Sequence, residues 1–353
     1  MRILALITTA GLTIGLVIVL NWWIDPLRTQ FHQAPVALAM ERSPNCVFQG
    51  RLFGDSGTNF PAFKLDLFRR RDPRVVIVGV SRALSIEAAG DRRFLNMSSP
   101  GTGTDVLGPL FARMHSVHPG PLTIYLDVEL FWFNPAWNSF VTFDPTLRGR
   151  LRELVSKFTL QKTVTKIATD PIQLVRPDSR RFSVGHVIAP CVVTSPGLGY
   201  RVGAPHNFFR LDGSWGWMKE TPPITGDFVA VEASSFGGFS SFADGRLAQL
   251  EAAVAEARSY SWRVIAFSPP FAGWALYDLK RNPDSRQALA TFDSAIPALF
   301  RRQGIPYLDL SDGRRLGCTR AEFLSQDGWH PIGACATRVH ARLDQAARRA
   351  AGH

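Results

Sequence analysis

The sequence predicts an α/β fold: a three-layer α/β/α domain on a parallel five-stranded sheet, preceded by one transmembrane helix. Three observations lead there. Between residues 71 and 350, short apolar or β-branched runs alternate with amphipathic stretches. Such alternation implies right-handed βαβ crossovers and a sheet covered on both faces. The 353-residue chain is 46% hydrophobic, which suits one large core with attachments better than two equal domains. Finally, the chain opens on a run without a charged residue, from Ile3 to Ile24.

That opening run is the first element. About 20 apolar residues match a bilayer core of about 30 Å. Trp22 and Trp23 stand at its far end, where an aromatic belt belongs. Residues 1–25 therefore read as an uncleaved signal anchor. A cleaved signal peptide is the alternative, but no small-x-small site precedes Trp22. A buried core helix fits worst, because no face of the run is polar. Arg2 and the α-amino group favour a cytoplasmic N-terminus. The main domain then faces the periplasm or the cell exterior, as a single-pass protein of the plasma membrane.

Residues 26–70 form a lead-in of mixed character, and 71–350 hold the rhythm of the domain. Its strands are expected at 74–80 (RVVIVGV), 94–97 (FLNM), 122–126 (LTIYL), 262–268 (WRVIAFS) and 305–310 (IPYLDL). Helices are expected at 104–117, 243–259, 285–303 and 333–348, from apolar spacings of three and four. A helix is also expected to start just beyond Ser81. The stretch 135–240, rich in Pro, Gly, Ser and aromatics, breaks the rhythm and reads as a large insertion with a helix near 146–168. In α/β sheets such insertions lie over the carboxyl ends of the strands. Its aromatics, among them Trp215, Trp217, Phe208 and Phe209, line a cleft or pack the insertion, and packing is the commoner use.

The net charge is +11 and the pI is near 10.1. The runs Arg69–Arg71 and Arg92–Arg93 lack interleaved aromatics, so the pattern excludes a nucleic-acid partner. Anionic headgroups or acidic glycans suit an outer location better. Cys46, Cys191, Cys318 and Cys335 allow three disulfide pairings, or serve as small buried residues. None has metal-ligand spacing with histidine, so neither a metal nor a cofactor is expected.

The chemistry concentrates in three places. Ser81 follows a buried strand in Gly79-Val80-Ser81-Arg82, where backbone N–H groups can meet a developing oxyanion. A serine at a helix start is also a common N-cap. Asp327-Gly-Trp-His330 presents a carboxylate and an imidazole from one turn, the pair that activates a serine. Gly101, in Ser98-Ser99-Pro100-Gly101-Thr102-Gly103, allows close backbone approach and a further N–H donor. A Gly-Asp-Ser sequence ends at Ser56, but a poor strand precedes it and no helix pattern follows.

The order of strand–Ser81, strand–Gly101, third strand and late Asp327-x-x-His330 resembles the SGNH/GDSL hydrolase superfamily. More narrowly, it resembles the membrane-anchored branch of polysaccharide O-acetylation and teichoic-acid D-alanylation proteins. The segments Asn21-Trp22-Trp23-Ile24-Asp25-Pro26 and Leu126-Asp127-Val128-Glu129-Leu130-Phe131-Trp132-Phe133-Asn134 carry that likeness. It implies a flavodoxin-like domain, with Ser81 as nucleophile, His330 as base and Asp327 as its orienter. The oxyanion donors would be the N–H groups of Ser81 and Gly101. The family's third block adds an asparagine side chain. Here Asp127 takes that place, or Asn134 folds back to serve. Arg82, Asp127 and Trp329 are the expected substrate contacts.

The expected activity is therefore that of an extracytoplasmic serine esterase or O-acyltransferase, with acylated cell-surface glycans as substrates. The resemblance implies a membrane-bound O-acyltransferase as partner. Two other readings stand beside it. One is a weak or inactive scaffold subunit of an acyltransferase or polysaccharide-export complex, and the other is a lipid esterase at the membrane surface.

Overall fold

A computed structural model describes residues 60–88, 91–139, 227–324 and 327–351, with short stretches at 8–9, 11–17, 19, 48–49, 207–210 and 212–217. The strands are β1 (Phe48–Gln49), β2 (Val75–Val78), β3 (Phe94–Asn96), β4 (Thr123–Asp127), β5 (Asn207–Phe209), β6 (Trp215–Trp217), β7 (Arg263–Ser268) and β8 (Tyr307–Asp309). The helices are α1 (Phe60–Arg71), α2 (Thr104–Val117), α3 (Phe228–Val231), α4 (Ala233–Phe236), α5 (Arg246–Ser259), α6 (Gly273–Arg281), α7 (Pro283–Arg302) and α8 (Gly333–Ala351).

Five strands form a parallel sheet in the order β3-β2-β4-β7-β8. This is the flavodoxin-like order, and it reverses direction between β2 and β4. The crevice outside the carboxyl ends of those strands is where such folds bind ligands. Alternation along each strand feeds two cores. Val76, Val78, Ile124, Leu126, Val264 and Ala266 face α2, α5 and α7. Ile77, Tyr125, Ile265 and Phe267 face α8, through its Ala336, Val339 and Leu343. The sheet is thus sandwiched between helical layers, as buried parallel strands require.

Element boundaries follow local chemistry. Helix α7 starts two residues before its expected position, because the Asn282 side chain accepts from the N–H groups of Asp284 and Ser285, and Pro283 suits the first turn. Helix α5 starts at Arg246, after Gly245 turns left-handed at φ +76°. Helix α6 was not expected. It occupies the joint between β7 and α7, after Pro269 and Pro270.

Helix α1, at the end of the lead-in, buries Lys64, Leu67 and Phe68 in the main domain. In the insertion, β5 and β6 make a small antiparallel sheet with β1. The turn between β5 and β6 also bonds to the main domain, with Asn96 N–H donating to Asp212 O at 2.6 Å and Trp215 N–H to Leu84 O at 2.7 Å. Trp215 packs against the main core, as the packing reading holds. Finally, the chain after β2 forms a short 3₁₀ turn, Ser81–Ala83, instead of an α-helix. The buried Asn96 side chain explains this: its Nδ2 donates to the carbonyls of Ala83, Leu84 and Ile86, which a helix would use in its own ladder.

Cys318 and Cys335 form a disulfide with a Cα–Cα distance of 5.1 Å. It ties the loop before the Asp327–His330 segment to the first turn of α8. Cys46, Cys191 and the helix expected near 146–168 lie outside the described residues. Residues 11–17 are helical and Leu12, Ile14 and Leu16 are exposed, yet no helix among the described residues is long and apolar enough to cross a membrane. Most of the flanks of the 3–24 run are outside those residues.

Candidate active site

The sheet places its chemistry at the switch point. Ser81 follows β2 directly, and Asp127 closes the neighbouring β4. Between them the Asp127 side chain lies directly over Gly79. A Cβ on Gly79 would stand 2.3 Å from the Cβ of Asp127, so only glycine fits before the nucleophile turn. Asp127 Oδ2 accepts from Val80 N–H at 3.1 Å and holds that turn to β4.

From the far end of the chain, the loop before α8 brings Asp327 and His330 over Ser81. His330 Nε2 lies 2.8 Å from Ser81 Oγ, and His330 Nδ1 lies 2.6 Å from Asp327 Oδ2. Asp327 Oδ1 accepts from the N–H groups of Trp329 and His330, at 2.9 and 3.0 Å. One carboxylate therefore fixes both the loop and the imidazole. Gly328 makes the tight turn at φ +87°, with its missing Cβ facing Trp274. The structure thus brings together the three residues that the sequence marks for acyl transfer. The other serine candidate, Ser56, lies outside the described residues.

Next to Ser81 the loop after β3 approaches. Ser99 N–H donates to Gly79 O at 3.0 Å, Trp132 Nε1 to Thr102 O at 2.7 Å, and Lys64 Nζ to Ser98 O. Burial holds the Lys64 pKa well below its ordinary value. Gly101 sits in this loop at φ +75°, a conformation that favours glycine. The N–H groups of Ser81 and Gly101 make no hydrogen bond within the described residues. Backbone N–H groups left open in this way are the kind of donor that forms an oxyanion hole.

Neither side chain expected to complete that hole does so. Asn134 is buried and engaged, its Nδ2 donating to Ser235 O at 3.1 Å and its Oδ1 accepting from Ala136 N–H at 2.9 Å. Asp127 points into the protein. The expected substrate contacts are corrected too. Arg82 is 1% exposed and every donor group faces inward. Its Nε donates to Trp329 O at 2.8 Å, Nη1 to Glu129 Oε2 at 2.5 Å, and Nη2 to both Pro269 O and Pro270 O at 2.8 Å. The guanidinium also lies 3.9 Å over the Phe271 ring. Arg82 is the tie between the nucleophile turn, β4, β7 and the His330 loop. Trp329 is buried against Phe131, Phe228 and Phe236, with ring centroids 5.8, 6.5 and 5.2 Å away.

Asp127 and Glu129 share this interior. Burial, and then the Glu129 carboxylate, hold the Asp127 pKa well above the usual carboxylate range. Burial raises Glu129 as well, but the Arg82 guanidinium opposes it. Asp127 is therefore the partner that keeps a proton. Asp127 Oδ1 and Glu129 Oε1 are buried and have no hydrogen-bond partner among the described residues. A raised acid contributes its full stability below its unfolded pKa of about 3.9 and loses it as pH rises through the folded value. Asp127→Asn keeps the shape and the donor without the titration. Its stability relative to the parent should improve from pH 5 to pH 9, and urea midpoints at the two pH values measure this.

Two residues escaped sequence reading. Asn96 holds the turn after Ser81, but its place inside an apolar strand hid it. Glu232, between α3 and α4, is half-buried, and Phe228 and Phe236 near it pack on Trp329. Burial raises its pKa, and the positive field of His330 opposes this. Among the described residues no cluster of His, Cys, Asp or Glu can hold a metal ion.

Serine, imidazole and carboxylate in this order are the groups that acyl transfer through a serine ester uses. No protein-family model, no curated protein and no solved structure matches the chain.

Proposed function

We propose that this protein is a serine acyltransferase or esterase of the SGNH type, working through an acyl-Ser81 intermediate. The observation that carries the reading is the continuous relay Ser81–His330–Asp327, at 2.8 and 2.6 Å, next to two unengaged backbone N–H groups. His330 Nε2 takes the Ser81 proton as Oγ attacks the acyl carbonyl, and Asp327 stabilises the imidazolium. The N–H groups of Ser81 and Gly101 receive the oxyanion. His330 then protonates the leaving oxygen. In the second half, water or an acceptor hydroxyl attacks the ester and returns Ser81 to its free form.

The same proposal places the domain outside the membrane, anchored by the apolar run at 3–24. The Cys318–Cys335 disulfide supports an oxidising compartment. The exposed apolar residues Leu12, Ile14 and Leu16 on the described helical turns of that run suit a lipid environment. An acylated cell-surface glycan is the substrate class, and a membrane-bound O-acyltransferase is the natural source of acyl groups.

One observation favours a second reading. With Asn134 and Asp127 both engaged elsewhere, neither side chain expected to complete the oxyanion hole is available as its donor. Losing one such donor costs about 10²–10³ in rate. A slow transferase, or a scaffold subunit that binds glycan, follows from that. Turnover of p-nitrophenyl acetate by the full chain in detergent tests the proposal. Release of p-nitrophenol that is lost in Ser81→Ala and kept in Ser56→Ala supports it. A folded chain without turnover favours the scaffold.

A further inference from the structure

Far from the switch point, the sheet ends in β8, an edge strand. Tyr307 turns to one face of the sheet, where its ring stacks on Phe300 with centroids 5.6 Å apart. Leu308 and Leu310 lie on the other face, because side chains alternate along a strand. There they join Leu316 and Ala346 in the core under α8. Leu308, Leu316 and Ala346 stay half-buried, so this core runs out to the surface at the sheet edge. A cavity of about 600 Å³ opens at that place, walled by β8, the 3₁₀ turn Gly313–Leu316 and the C-terminal half of α8. It exists because α8 presents Ala346 and Ala350, four residues apart on one face, where larger side chains would fill the space. Its volume suits a small molecule or one chain of a larger one. No triad residue lines it, and β4 and β7 lie between β8 and the strand that leads to Ser81.

The charges in the lining are unequally matched. Arg315 lies 3.8 Å from Asp312, whose carboxylate also accepts from Arg314 Nε at 3.0 Å. Asp309, the other carboxylate of the lining, accepts from Ser311 N–H at 3.0 Å and from Ser311 Oγ at 2.6 Å. Arg342 and Arg349 are exposed and have no ion-pair partner among the described residues. They stand seven positions apart, two turns of α8, with Ala346 on the same face between them. Two open guanidinium groups beside an apolar wall match an anion joined to an apolar body. Inorganic phosphate or a free sugar would leave that wall in water, at a cost that grows with its apolar area.

We propose that this cavity binds an anionic phospholipid, with one acyl chain on Leu308, Leu310, Leu316 and Ala346 and the phosphate on Arg342 and Arg349. A guanidinium meets phosphate oxygens through two parallel N–H donors, and its weak hydration suits a site at the edge of water. The acyl chain covers the part of the core that α8 leaves open, so both surfaces leave water together. A lipid held there fixes this edge of the domain against a bilayer leaflet. The proposal rests on the anchor reading above for the source of the lipid, and on none of the Ser81 chemistry.

The test is photolabelling. The full chain is reconstituted in phosphatidylcholine vesicles carrying a trace of phosphatidylglycerol, or of phosphatidylcholine, with a diazirine on one acyl chain. Adducts are mapped by mass spectrometry after irradiation. The phosphatidylglycerol probe should label the cavity segments, 306–316 and 342–350, well above the phosphatidylcholine probe. Arg342→Gln together with Arg349→Gln should lower that labelling by about fivefold for each arginine, the effect of one basic residue near an anionic lipid surface. Ala346→Phe should fill the cavity and remove the label while both charges stay. Thermal melts check that the variants fold, and the comparison of the two probes in the wild type needs no variant. Equal labelling by both probes, or labelling indifferent to the arginines, overturns the proposal. A cavity without label overturns it too: adducts on residues 3–24 would then leave the anchor standing, and their absence would remove the anchor as well.

Discussion

His330→Ala and Ser81→Ala should each lower the second-order rate constant for ester turnover by about 10⁴-fold or more, and the double variant should be no worse than either single one. The reason is geometric. Ser81 Oγ has one base within reach, 2.8 Å away, and that base has one orienting carboxylate, 2.6 Å from its other nitrogen. Removing either end of a relay that acts as a unit removes the whole proton path. Asp327→Asn should cost somewhat less than the loss of serine or histidine. The amide still accepts from Trp329 and His330 N–H and keeps the loop in place, but it no longer stabilises the imidazolium. Initial rates with p-nitrophenyl acetate, beside thermal melts showing intact folding, measure all four variants. Additive losses would mean that the three residues do not work together.

Arg82→Ala should remove about 3–5 kcal/mol of stability, because it leaves the buried Glu129 carboxylate unpaired. Glu129 is fully buried and Arg82 is its cationic partner at 2.5 Å. The same change also frees the carbonyls of Trp329, Pro269 and Pro270 inside the protein. Arg82→Lys should recover only part of this loss, since a single ammonium cannot span four acceptors that a planar guanidinium meets at once. Pairing Arg82→Met with Glu129→Gln removes both charges and should regain at least about 1 kcal/mol over Arg82→Ala. Turnover should remain low in that double variant, because the clamp between the Ser81 turn and the His330 loop is still missing. Urea denaturation separates the stability effect from the rate effect.

Much of the architecture was legible because the signal was local. The β-branched run that became β2 and the three-and-four spacing of α2 and α8 needed no tertiary context. The Asp327–His330 pair was legible too, since one turn carries both groups. What failed was the reading of polar residues whose purpose is set by distant partners. Arg82 and Asp127 looked like substrate contacts because charged residues near a nucleophile usually face solvent. Here a pocket of four acceptors, drawn from segments up to 247 positions away, takes Arg82 inside. The helix expected after Ser81 failed for a similar reason, since Asn96 from the next strand takes its carbonyls. Glu232 and its neighbours were invisible because their stretch has no periodicity. Only the packing of Phe228 and Phe236 on Trp329 ties that stretch to the site.

The most direct test of the acyl-serine assignment is covalent. The full chain is treated with a fluorophosphonate, digested, and mapped by mass spectrometry, with His330→Ala as control. One adduct per chain on Ser81, strongly reduced in His330→Ala, is the predicted result. An adduct on Ser56 instead, or none on a chain shown to be folded, would contradict it.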